Sequence, residues 1–391
     1  MKKIWPFTFY FLYFAAFASA LPFFVLFYQE LDFTGTQIGL LTGIPPLITL
    51  VASPFWTSLA DARHWHKLVM SLGTLASVIT IFLLPFFSNF IVIFILIILF
   101  YVFVSPVASL ADSATITMLG EEREMYGRIR LGGTIGFGLF APIAGVVVER
   151  YGLQIGFWMF SMIMLANLFV SMKFSHGTHK VDASNSGGVR VLLTNRRWII
   201  FLFLAFLGGI GGTSAASYLF PYMAEMGASE SMMGWALTIA SLTEIPIFFF
   251  GNRFVRKFGS YGLLTLSLAM FGIRALLFAA VNLPSLVLFV QVFGGMIFPA
   301  MWAAGVSYAD ENAPAGLKSS AQGLFGAAAF GVGSAVSGFV SGLLLESVGG
   351  RGMFLALGII ILAGLGIAEG IRRLFPEKSE LPQAVVLTSD K

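Results

Sequence analysis

The chain is predicted to be an all-α membrane protein, with twelve transmembrane helices in two pseudo-symmetric six-helix bundles. Three observations carry this. Of its 391 residues 58% are hydrophobic and only 11% charged, against about 25% charged in an ordinary soluble domain. The apolar residues fall into runs of roughly 20 residues, the length a helix needs to cross the hydrocarbon core. Two sets of six such runs, separated by one polar stretch, echo each other in sequence. A soluble enzyme is excluded by that composition. The net charge of +4 is read by where the basic residues fall, not as a sign of nucleic-acid binding. With Cys 0, disulfides, thiol catalysis and cysteine metal sites are ruled out. His64, His66, His176 and His179 all fall in predicted loops, so neither a histidine relay in the bundle nor a metal or cofactor is expected.

Met1-Lys2-Lys3, an apolar run and then Ala18-Ser19-Ala20 imitate a signal peptide. The run continues through Leu21 to Tyr28, about 24 residues from Trp5, whereas a signal core has roughly 7–15, so it is a retained first helix. The second, about residues 37–60, carries Pro45, Pro46 and Pro54, which a membrane helix tolerates when neighbours satisfy the freed carbonyls. The third (about 68–87), fourth (90–119), fifth (128–148) and sixth (155–174) complete an N-terminal bundle over residues 1–174. Residues 175–197, SHGTHKVDASNSGGVRVLLTNRR, are polar and basic with glycine and serine, and read as a cytoplasmic linker. Six further spans, about 198–224, 234–254, 261–281, 285–309, 320–346 and 351–373, form a C-terminal bundle over 198–374, and 375–391 is a cytoplasmic tail.

Orientation follows from lysine and arginine. With the N-terminus inside, the cytoplasmic segments hold Lys2, Lys3, Arg63, Lys67, Arg123, Arg128, the linker's basic residues, Arg253, Arg256, Lys257, Lys318, Arg372 and Arg373, and the outside turns only Arg150 and Arg351. Both termini are therefore expected in the cytoplasm of a cell whose inner (plasma) membrane holds the chain. GTQIGLLTGIPPLITLVASPFW (35–56) echoes SESMMGWALTIASLTEIPIFFFG (229–251), with Gly39 matching Gly234, and GVVVERYG (145–152) echoes GLLLESVG (342–349). Such a duplication predicts two similar bundles about a central cavity that opens to each side in turn.

The charges inside the spans are the candidate functional residues. Asp112 and Arg130 lie in the fourth and fifth helices, on either side of the charged cluster 121–127, and the turn folds them to comparable depth. A charge at membrane depth faces a partner, a cavity or a ligand, so the pair either pins the two helices or meets a solute. Glu244 stands mid-span with no charge nearby, where desolvation works against its ionised form, as a proton carrier requires. It could equally act as a protonated hydrogen-bond donor or pair with Arg274. Tyr10, Tyr13 and Phe17 in the first helix and Tyr218 and Tyr222 in the seventh recur at helical spacing, which suits packing or the stacking of a ring-bearing solute.

Several of these stretches resemble one family. YGRIRLGGTIG (126–136), GSYGLLTLSLAMFGIR (259–274) and QVFGGMIFPAMWAAGVSY (291–308) resemble the lactose permease, phenylpropionate permease and nucleoside proton-symporter branch of the major facilitator superfamily. TSLADARHWHK (57–67) resembles the superfamily's G-x-L-A-D-R-x-G-R-K loop, with Thr57 in place of the glycine. The resemblance implies the major facilitator fold and secondary active transport of a small organic solute, with a sugar, nucleoside or aromatic acid as the substrate class. Protons are the implied coupling ion, in a monomer with no cofactor. It implies substrate binding by Asp112 and Arg130, with Gln291 and Trp302 kept from the matched pattern, and a coupling role for Arg274; Tyr10, Tyr13 and Tyr218 by their spacing join the substrate-binding candidates, and Glu244 and Asp112 by their place in the spans join the proton-coupling ones. Asp61 and Arg63, with Gly251 and Gly259 of the matching loop GNRFVRKFG (251–259), are the implied gate. Gly294 stands where the family pattern has a histidine, so its histidine-acid proton site is missing. A proton-coupled exporter of drugs or metabolites, and a non-transporting membrane receptor, are the competing readings.

Overall fold

The computed structural model describes residues 3–175, 192–314 and 316–374, which form helices joined by short turns. The helices are α1 (Ile4–Glu30), α2 (Gly35–Arg63), α3 (His66–Phe86), α4 (Phe90–Leu119), α5 (Tyr126–Tyr151) and α6 (Gln154–Ser171) in the first half. In the second are α7 (Arg196–Glu225), α8 (Glu230–Phe258), α9 (Ser260–Ala280) and α10 (Pro284–Asn312). A last continuous stretch, Lys318–Leu374, is 57 residues long, too long for one span. It turns at Gly349, whose φ of 69° favours glycine. Its two parts are α11 (318–348) and α12 (350–374). Ten of these helices are long and apolar enough to cross a membrane as they stand, and α8, bent by 41° between Ile247 and Phe249, is the eleventh. With the turn at Gly349 counted, the predicted twelve are present. Most of the predicted linker and the whole tail lie outside the described residues.

Local sequence explains where the helices begin. Thr34 caps α2 in a reciprocal box with Gln37, Asn89 caps α4 through Ile91 and Val92, and Ser229 caps α8 through Met232. Each satisfies amides that a helix start leaves without partners.

Within the first half α1 packs on α5 and α6, and α3 on α4 and α6; within the second, α8 packs on α10, and α9 on α10 and the final stretch. The halves meet along two seams, α5 against α8 and α2 against α11. Both seams close at the end of the bundle away from the chain termini. There the repeat-matched glycines do the same work: a Cβ on Gly39 would lie 2.9 Å from the Phe339 carbonyl oxygen, and one on Gly234 2.9 Å from Pro142 Cα. Only glycine allows helices this close. A third contact, the Phe23 and Phe220 rings at 5.0 Å, joins α1 to α7. Toward the termini α5 and α8 diverge, and a cavity opens between them.

Candidate functional site

The α4–α5 hairpin, turned over residues Gly120–Met125, brings Asp112 and Arg130 together. Arg130 Nη1 donates to Asp112 Oδ1 at 2.8 Å, and the Tyr10 hydroxyl donates to the same oxygen at 2.6 Å while standing 3.3 Å from Thr115 Oγ1. The guanidinium also lies 5.6 Å from the Tyr10 ring centre and 6.0 Å from that of Phe14. A cation at this depth is thus offset by a carboxylate and two ring faces. The pair is not sealed: the Arg130 side chain is 41% exposed and that of Asp112 31%. Asp112 and the Tyr126 hydroxyl do not exhaust the five donors of a guanidinium, and Arg130 lines an open space.

This space is a cavity of about 680 Å³, within the range of small-molecule sites. Arg130, Leu131, Thr134 and Phe137 of α5 line one wall, Leu237, Ala240, Ser241, Glu244 and Phe249 of α8 the other, and Phe14 and Phe298 contribute from α1 and α10. The floor is the α5–α8 seam, where Thr238 Oγ1 donates to the Gly138 carbonyl at 2.9 Å. The mouth, marked by Glu124 and Arg128, lies at the end of the molecule that carries the termini. Leu237, Ser241 and Glu244 share one face of α8 by helical spacing. Glu244 makes no hydrogen bond or ion pair among the described residues.

Arg274 is elsewhere. It is buried on α9 and donates to Gln291 Oε1 of α10; Gln291 Nε2 in turn donates to the Ala236 carbonyl of α8 at 3.1 Å. The Phe278 ring centre lies 5.1 Å from the guanidinium. A Cβ on Gly294 would sit 2.6 Å from Arg274 Cζ, so the missing side chain at 294 makes room for the arginine. Glu244 and Arg274 are not brought together.

The other predicted site residues scatter. Gln291 is 1% exposed and clamps Arg274. Trp302 packs on Phe330 and Phe325, at 5.2 and 6.0 Å, outside the cavity lining. Tyr13 is buried between Phe9 and Phe17. The Tyr218 hydroxyl donates to the Gly338 carbonyl at 2.6 Å and lies 2.7 Å from Thr42 Oγ1, inside the closed seam. In the loops, Asp61 accepts from His66 Nε2 at 2.7 Å, Arg63 lies over the Trp65 ring, Gly251 is buried beside Ala303, and Gly259 turns the chain from α8 to α9 with φ 71°. Thr134, Ser241, Phe137 and Phe298 line the cavity without having been singled out as site residues. Ser241 follows from Glu244 by helical spacing, Thr134 lies in the family-resembling stretch 126–136, and Phe137 carries no sequence signal.

The model of the MFS_1 like family matches residues 5–356. Maltose permease of Geobacillus stearothermophilus is 27% identical over 369 residues, 93% of each chain. The uncharacterized transporter YwbF of Bacillus subtilis is 26% identical over 92% of this chain and 90% of its own length. The probable 3-phenylpropionic acid transporter of Escherichia coli K12 is 24% identical over 91% of this chain and 94% of its own. Among solved structures, a point mutant of nucleoside transporter NupG superposes with a TM-score of 0.84 over 96% of this chain and 100% of that one, at 18% identity.

Proposed function

The chain belongs to the MFS_1 like family and is a secondary membrane transporter, not an enzyme, and on that premise we propose proton-coupled uptake of a small ring-bearing organic solute by alternating access. The observation that carries the proposal is the cavity, with Arg130, already neutralised by Asp112, on one wall and on the other the carboxyl of Glu244, which has no partner among the described residues. Basic residues crowd the end at which the cavity opens, which supports a cytoplasmic placement of this end by the positive-inside rule and a reading of the closed seams as an inward-open arrangement in an inner membrane.

The relatives' names span a sugar, an aromatic acid and a nucleoside. Phe14, Phe137, Phe249 and Phe298 on the walls favour the two aromatic classes, which stack on rings. Arg130 donates to the solute's oxygens, and Asp112 with Tyr10 fixes the guanidinium's direction. Glu244 carries the proton: an ionised carboxyl is costly to enclose between apolar helices, so closure around the solute with a neutral Glu244 couples the two. Protonation from outside and release to the cytoplasm then give symport.

The test uses purified protein in proteoliposomes. Nucleosides, aromatic acids and sugars are first ranked by the thermal shift each produces. Uptake of the best solute is then measured with an inward proton gradient and without it, for wild type and Glu244→Gln. The expected result is gradient-driven accumulation in wild type, and in the variant only facilitated equilibration with no response to the gradient. An equal response in both proteins removes Glu244 from coupling, and efflux driven by the same gradient makes the protein an exporter.

A further inference from the structure

The repeat GVVVERYG and GLLLESVG places Glu149 and Glu346 at equivalent positions near the ends of α5 and α11, and the transport reading leaves both unused. In the structure each reaches across the seam to the start of a helix of the other half. Glu346 Oε2 accepts from the Gly35 amide of α2 at 2.8 Å, and Glu149 Oε2 accepts from the Ser231 amide of α8 at 3.1 Å. The recipient helices, α2 and α8, are also related by the repeat that matches Gly39 to Gly234, the bonded amides standing one position apart in it.

Both helix starts need the bond. In α2 the Thr34 hydroxyl takes the Gln37 amide and Gln37 returns to the Thr34 amide, which leaves the Gly35 amide for Glu346. In α8 the Ser229 hydroxyl takes the Met232 amide, which leaves the Ser231 amide for Glu149. An anion at a helix N-terminus is favoured by the unsatisfied amides and by the helix dipole. The contact is tight: a Cβ on Gly35 would lie 2.6 Å from Glu346 Cβ, and one on Gly145 3.1 Å from Ser231 Cα.

We propose that Glu149 and Glu346 are a symmetric pair of latches that hold the outer seams shut, each a carboxylate of one half capping a helix of the other. The inference rests on the alternating-access reading. Opening the outer end must separate α5 from α8 and α2 from α11, which breaks both bonds at once. Both carboxylates are solvent-exposed, so water replaces the lost partners at small cost and the latch is reversible. The two bonds therefore set the ratio of outer-open to outer-closed protein without touching the solute.

The chain has no cysteine, so Asp32→Cys in the α1–α2 turn and Leu283→Cys in the α9–α10 turn are the sole labelling points, one on each half at the sealed end. Spin-label distances between them are read in nanodiscs for the otherwise wild-type protein, Glu149→Ala, Glu346→Ala and the double variant. Each single change is expected to raise the outer-open to outer-closed ratio about three-fold and the pair about ten-fold, the scale of a charge at a helix terminus. Should the alanine variants fold poorly, Glu149→Gln and Glu346→Gln keep the shape without the charge and are expected to move the ratio the same way by less. Two populations whose ratio ignores every substitution overturn the latch and leave alternating access standing. A single closed distance in all variants, with and without solute, overturns both.

Discussion

Two arginines lie inside the membrane spans with known partners, and the protein treats them differently. Arg130 meets a carboxylate, two aromatic rings and an open cavity; Arg274 is enclosed with an amide and one ring, and with no carboxylate among the described residues. The first arrangement leaves donors pointing into space that a solute can enter. The second gives one donor to Gln291, which passes the connection on to the Ala236 carbonyl and so ties α8, α9 and α10 together, while its buried Nε has no partner among the described residues. Position in the membrane alone does not mark a solute contact. What separates the two is whether the charge is offset by a group that is itself open to the cavity.

The comparison can be broken most directly at Arg130. Arg130→Ala leaves Asp112 half-buried with the hydroxyls of Tyr10 and Tyr126 but no cation, and is expected to lower solute uptake in proteoliposomes by about 100-fold, the scale of a lost charge-assisted bond to the solute. Transport within a few-fold of wild type would move the solute site off this wall.

Arg274 gives a contrast in stability. Gln291→Leu strands a buried cation and is expected to destabilise the protein by about 3 kcal/mol. The double replacement Arg274→Leu with Gln291→Leu removes charge and partner together and is expected to be neutral or mildly stabilising. Chemical unfolding in detergent measures both, and a silent single variant would mean that Gln291 is not what holds the guanidinium. Gly294→Ala pushes a methyl group against Arg274 Cζ and is expected to cost about 1–3 kcal/mol by overpacking, read in the same assay. The smallest effect belongs to Tyr10→Phe. It deletes one hydrogen bond to Asp112 while keeping the ring, so solute affinity should fall about two- to ten-fold, as loss of a bond of about 0.5–1.5 kcal/mol implies. Titration of the solute by thermal shift would show it, and an unchanged affinity would mean that Asp112 alone orients Arg130.

What was legible in advance divides along the same line. Asp112 and Arg130 are 18 residues apart on a single helical hairpin, so one turn was enough to bring them together and the sequence pointed to the pair. Glu244 and Arg274 also sit on consecutive helices, α8 and α9, and the same reasoning would join them, but the structure turns them to different faces. Gln291 and Trp302 carry the family pattern in α10, yet Phe298 between them is the residue of that stretch that reaches the cavity.

The sequence by itself determined the spans, the duplication and the charged positions, because hydropathy and chain reversal act over a few neighbouring residues. Tertiary structure alone decided which way each helix is rotated, which residues share the cavity, and that the end away from the termini is the closed one. The reason is physical: lipid and protein interior are both apolar, so a membrane helix has no strong polar face to announce its rotation. Small residues at the seams and the few polar side chains then set it. The sequence printed both latch glutamates in matching motifs, but only the packed halves could show that each reaches a helix start of the other.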